Sequence, residues 1–218
     1  MAAERAARAL DPFFAECVAA VKAFQHRRFA QFYADLLGDK RYARAATFFL
    51  EDLYGPADFS ERDTQFIRIV PALVRMFPRE IVGTVADLAA LHALSERLDS
   101  ATARVLATSA IDARRYAEAW RAVGEPEARE QQIALMLAVG NALDKYTRNP
   151  LLRHSLRLMR APAKAAGLGA LQHFLETGFD TFGAMGGAEV FLRTIAQRER
   201  ALAARLFSGG EIAGPSDG

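Results

Sequence analysis

Cysteine is nearly absent: Cys17 is the only one in 218 residues. A disulfide within the chain is thereby excluded, as is a zinc site built from several thiolates. Net charge is scarce too, with 28 lysines and arginines against 26 aspartates and glutamates. That balance argues against a uniformly basic nucleic-acid binder. Long hydrophobic runs are missing. The best, Ile133 to Val139, falls far short of the about 20 residues that a bilayer-spanning helix needs. The opening MAAERAARALDPFF has arginines but no apolar stretch before a small-residue cleavage site, so no export signal is read there. Strand patterning is lacking as well, because β-branched residues nowhere alternate with polar ones over five positions. No repeat of fixed period appears, which sets a solenoid aside. Together these absences lead to the expectation of a soluble, cytoplasmic protein.

What is present is helical periodicity in a chain that is 51% apolar. Asp11 and Pro12 make an N-cap and first-turn pair. Phe13, Cys17, Val21 and Phe24 then form an apolar stripe, which resumes with Phe29, Phe32, Tyr33, Leu36 and Leu37 and stops at Gly38. The stripe predicts one helix bent near His26, or two helices. A helix over Lys40–Leu53 follows and ends at Tyr54-Gly55-Pro56. Ser60 with Asp63 resembles a capping box for a third helix through Phe77, kinked at Pro71. Further helices are expected over Arg79–Leu98, from Ser100 to Gly124 with a joint near Ile111-Asp112, and over Glu127–Tyr146. A short helix after Asn149-Pro150, one from Pro162 to about Phe182, and one over Ala188–Phe207 complete the set. The expectation is an all-α, single compact domain of about eight or nine helices spanning 11–207. Residues 1–10 read as a flexible N-terminus and 208–218 as a disordered tail.

Catalytic signatures are wanting. HExxH, Glu-x-x-His, the P-loop and GxSxG do not occur. Gly167-Leu168-Gly169 has no strand before it. Cys17 lies on the apolar stripe, where a buried, inert thiol is expected. His26, His154 and His173 show no metal spacing, and His26 reads as exposed. No catalytic constellation or metal site is assigned; a binding or interaction protein is the leading reading, and a helical enzyme with substrate anchored by arginines has no catalytic constellation to support it.

Charge is distributed unevenly. Between Asp144 and Glu176 there is no acidic residue, while Lys145, Arg148, Arg153, Arg157, Arg160 and Lys164 are all basic. Arg153, Arg157, Arg160 and Lys164 follow steps of four, three and four, one helix face if the helix passes through Pro162. Arg148, Arg153, Arg157, Arg160 and Lys164 are therefore the candidate contacts for an anionic ligand or a partner. A solvated helix face is the alternative. Tyr146 is the one Phe, Tyr or Trp ring between Lys145 and Lys164, which argues against a single-strand nucleic-acid platform. An acidic counterpart at Glu51, Asp52, Asp58, Glu61 and Asp63 suggests pairing within the chain or between subunits, hence self-association or a protein partner.

Two local strings resemble known families. FFLEDLYGPADFSERD resembles a string in a family of uncharacterised bacterial proteins, a domain of unknown function, over roughly residues 13 to 100. Leu88-Ala89-Ala90-Leu91-His92-Ala93-Leu94-Ser95-Glu96-Arg97-Leu98-Asp99 is similar to the globin segment around the proximal haem histidine. Phe32-Tyr33-Ala34-Asp35-Leu36-Leu37 is similar to an early helix of bacterial sensor globins. The second resemblance implies haem as cofactor, a fold globin-like in part, and His92 as proximal ligand. On geometry alone, His92 shares a face with Val85, Leu88 and Ser95. There it is either a ligand or a core histidine bonded to a carbonyl or a carboxylate such as Glu96.

Overall fold

Local capping rules account for most helix starts. In the computed structural model, which describes residues 2–53, 64–65, 68–69 and 78–212, Asp11 accepts a bond from the Phe14 amide at 3.0 Å. It thereby opens α2 (Pro12–Phe32), while α1 (Ala2–Leu10) precedes it. α2 passes His26 and stops at Tyr33, whose backbone leaves helical geometry at φ −118° and ψ 24°. Tyr33 is fully buried there, and its hydroxyl donates to Glu199 at 2.8 Å. The break thus falls where a tertiary contact holds the side chain. α3 (Ala34–Gly38) and α4 (Ala43–Phe48) follow, and α4 widens into a π-helical turn over Phe49–Leu53. The expected turn at Tyr54-Gly55-Pro56, the Ser60 capping box and the Pro71 kink lie outside the described residues.

α5 (Arg79–Leu106) runs straight through Ser100, where a new helix was expected. The Ser100 hydroxyl is buried and accepts from Arg8, so it faces the core and does not cap. The joint near Ile111-Asp112 is real: Asp112 accepts from the Arg115 amide at 2.8 Å and opens α6 (Ala113–Val123). α7 (Pro126–Thr147) has proline in its first turn. Asn149 caps α8 (Pro150–Leu158), accepting from the Leu151 amide. The following break is at Met159, and Pro162 lies inside α9 (Arg160–Ala165) rather than starting a helix. Proline is tolerated there because first-turn amides have no helical partner. α10 (Gly169–Met185) ends on Gly186 in the left-handed conformation, and α11 (Glu189–Phe207) closes the series. The chain is divided more finely than the eight or nine helices expected.

The protein is an all-α single domain, and no strand occurs among the described residues. α7 is its centre, packed against α5, α11, α10 and α8. Gly140 on α7 permits the closest approach: a Cβ there would lie 2.5 Å from Leu192 Cδ2 on α11. Two apolar clusters form around this axis. One gathers Phe29, Tyr33, Phe48, Phe49, Phe182 and Phe191, and the other gathers Cys17, Val21, Tyr116, Trp120, Leu202 and Leu206. Cys17 is 1% exposed and burial pushes its thiol pKa up, which fits the inert role. Residues 2–10, set apart as a flexible N-terminus, are the helix α1. Glu4 pairs with Arg104 at 2.7 Å and Arg8 with Glu96 at 2.6 Å, tying that helix to α5.

Candidate functional site

The basic window lies along one edge of the domain, on the end of α7 and on α8 and α9. Arg148, Arg153, Arg157, Arg160 and Lys164 are all exposed. Folding returns acids to a window that lacks them in sequence. Arg148 pairs with Asp144. Arg153 meets Asp180 of α10 at 2.6 Å, and Arg160 meets Glu176 at 2.8 Å. Gln172 also donates to Glu176, whose pKa is lowered chiefly by the Arg160 hydrogen bond. Arg157 and Lys164 form no ion pair among the described residues. α8 itself has no buried residue, and Leu151 and Leu158 are 75% and 64% exposed. His154 and His173 are exposed, whereas His26 is half-buried with its Nε2 3.3 Å from Glu51. Of the acidic counterpart, Asp58, Glu61 and Asp63 lie outside the described residues.

His92 is half-buried on α5, one turn after Leu88 and beside buried Leu91. Glu96, a carboxylate one turn further, is engaged by Arg8 and Lys22. No cluster of three His, Cys, Asp or Glu side chains able to hold a metal occurs among the described residues.

The most unusual chemistry is inside, between the two apolar clusters. A polar layer there joins α2, α5, α6, α7 and α11. Gln25 donates to Asp99 at 2.9 Å and to the Tyr116 hydroxyl at 3.0 Å. Arg28 forks Glu199 at 3.0 and 3.3 Å, and Tyr33 donates to the same carboxylate. Arg129, 3% exposed, stacks its guanidinium 3.7 Å over the Trp120 ring. Burial pulls the Arg129 pKa down, while Tyr116 and Asp99 oppose it. Burial pushes the Asp99 carboxyl up against Lys22 and Gln25. For Glu96 burial acts in the same direction, but Lys22 and Arg8 outweigh it and hold the carboxyl below its ordinary value. A cavity of about 60 Å³ opens in this layer, lined by Gln25, Arg28, Tyr116, Trp120, Arg129, Gln132 and Glu199, the last already held by Arg28 and Tyr33, with apolar neighbours such as Phe49 and Met136.

From sequence, Glu96 was named only as a candidate partner of His92 and Tyr33 only as part of the apolar stripe; the layer itself was not foreseen. One signal existed. Arg129 falls on the spacing of Ile133, Met136 and Gly140, the buried face of α7, where a cation is out of place.

The class defined by these features is an all-α domain with a charged layer through its core and an exposed basic edge. Over residues 4–212 the chain matches the family described as Domain of unknown function (DUF8198), and it belongs to that family. The match extends well beyond the stretch on which the FFLEDLYGP resemblance rests. No curated protein and no solved structure matches the chain. No helix among the described residues is long and apolar enough to cross a membrane.

Proposed function

We propose that the chain is a binding and interaction protein of the cytoplasm, and that an acidic polypeptide partner docks on the α8–α9 edge. The observation that carries this reading is α8, a helix with no buried side chain that presents Leu151 and Leu158 beside Arg153 and Arg157. Isolated exposed leucines are ordinary, but apolar side chains grouped among cations on one short helix make a surface suited to an acidic, apolar-studded segment. A second copy of the chain is one source of such a segment, so dimerisation belongs to the same reading.

The test is fluorescence anisotropy with labelled poly-glutamate at low salt. Binding is expected, with loss at high salt and in the triple variant Arg153→Glu, Arg157→Glu, Arg160→Glu. Unchanged binding after that reversal removes the edge from the functional account. Sedimentation of both proteins reads self-association directly, and vesicles rich in phosphatidylglycerol check for a lipid surface instead.

Haem binding is the second reading, supported by the half-buried place of His92 beside Leu88 and Leu91. In it His92 supplies a neutral imidazole nitrogen to iron. Titration with hemin is expected to give a Soret shift that His92→Ala abolishes. A wild-type protein that stays colourless ends this reading.

A further inference from the structure

The polar layer holds more cations than carboxylates. Arg8 and Lys22 both address Glu96, and Arg28 takes Glu199. Asp99 accepts from Gln25. Arg129 remains, with no carboxylate oxygen within 4.0 Å among the described residues. Asp99 and Glu125 act on it only from beyond ion-pair distance, and a buried cation without a direct partner is unfavourable.

The orphaned donors share a place. Arg129 Nε and Nη2, Arg28 Nε and Trp120 Nε1 are all buried without a hydrogen-bond partner among the described residues. All three side chains line the one cavity. Nε and Nη2 of an arginine point their N–H bonds from the same edge of the guanidinium plane, the edge that takes a carboxylate through two parallel bonds. The Trp120 ring occupies the guanidinium face, so a ligand must approach at that edge. Donors here outnumber acceptors, which favours a group that only accepts. Water donates as readily as it accepts and brings no charge. A volume of about 60 Å³ admits a carboxylate carrying one or two carbons, or a few waters.

We infer that this cavity is a binding site for the carboxylate of a small organic acid, with Arg129 holding both oxygens and the anion completing the charge balance of the layer. Arg28 and Trp120 supply the remaining donors. Apolar Phe49, Ile133 and Met136, on the cavity wall, face the carbon end.

Trp120 is the only tryptophan in the chain, so its fluorescence reports this site alone. Purified full-length protein is titrated with sodium acetate and sodium formate against sodium chloride at constant ionic strength, with inorganic phosphate as a further arm. The expected result is a saturable change at one carboxylate per chain, at concentrations at least tenfold below any effect of chloride or phosphate. Arg129→Met should abolish it. Arg129→Lys keeps the charge without the two-pronged edge and should weaken acetate at least tenfold. A wild-type signal that follows ionic strength alone overturns the site, as does a response retained in Arg129→Met. Phosphate binding tighter than acetate overturns the carboxylate assignment. Should Arg129→Met fail to fold, the wild-type titration and Arg129→Lys decide: equal acetate affinity in the lysine variant overturns the role given to the guanidinium.

Discussion

Replacing Glu96 by Gln keeps the shape of the side chain and removes its charge. Glu96 is 5% exposed, 2.6 Å from Arg8 of α1 and ion-paired with Lys22 of α2. One carboxylate therefore fastens two helices to α5. Removing one partner of a buried pair costs about 3–5 kcal/mol when the other stays buried. Arg8 and Lys22 retain 18% and 23% side-chain exposure, so their long stems can swing the charge toward water. The expected loss therefore falls at or below the bottom of that range, about 2–3 kcal/mol. At ~2–4 °C per kcal/mol for a chain of this size, Tm should fall by about 4–12 °C in melts followed by circular dichroism. The pH dependence sharpens the test. Lys22 and Arg8 hold the Glu96 carboxyl below its ordinary 4.5 despite burial. A carboxyl lowered on folding contributes stability above its unfolded pKa and loses it as pH falls through the folded value. Wild type and Glu96→Gln should therefore differ at neutral pH and converge in acid, once pH has fallen below the lowered Glu96 value. Equal Tm values at pH 7, or a difference that persists unchanged into acid, would refute the reasoning.

Asp99 titrates the other way. Burial raises its pKa, so stability from its neutral form is lost as pH rises through the folded value, and Asp99→Asn should gain on wild type in melts above that value. Tyr33→Phe deletes the hydroxyl that donates to Glu199, a bond to a charged acceptor worth about 1.5–3 kcal/mol in chemical denaturation. Asp112→Ala removes the cap on the Arg115 amide and should cost about 1 kcal/mol by the same measurement, rescued by Ser or Asn. Gly140→Ala sets a ~1 kcal/mol helix-propensity gain against overpacking of ~1–3 kcal/mol on Leu192. A net loss is expected, recovered when Leu192→Val makes room.

What was legible in the sequence was what is local. Asp11, Asp112 and Asn149-Pro150 announce helix starts because a cap needs only its own next three residues. Ser100 carries the same chemistry and misleads, because its hydroxyl is turned to Arg8, 92 residues away. The basic window was legible as a run of cations, yet Asp180 and Glu176 reach it only through the packing of α10 on α8 and α9. The interior layer lay further from view. Its pairs are separated by 74 residues for Gln25 and Asp99 and by 171 for Arg28 and Glu199. No window of sequence contains both members. Arg129 alone could have been noticed, as a cation on the apolar spacing of α7.

The Arg28–Glu199 pair also sets a clock on biosynthesis. Its members are 171 residues apart, and ribosomes add roughly 5–20 residues per second, so Arg28 waits on the order of ten to thirty seconds for its carboxylate. Tyr33 waits equally long for the same acceptor. During that interval Arg28 has no Glu199 to pair with, and burying its cation unpaired is costly. α11 is thus the keystone of the nascent domain, arriving last and carrying the charge that lets the earlier helices shut. A chain that ends before it keeps Phe49 and Phe182 without their Phe191 lid and holds a stranded arginine at the heart of the fold.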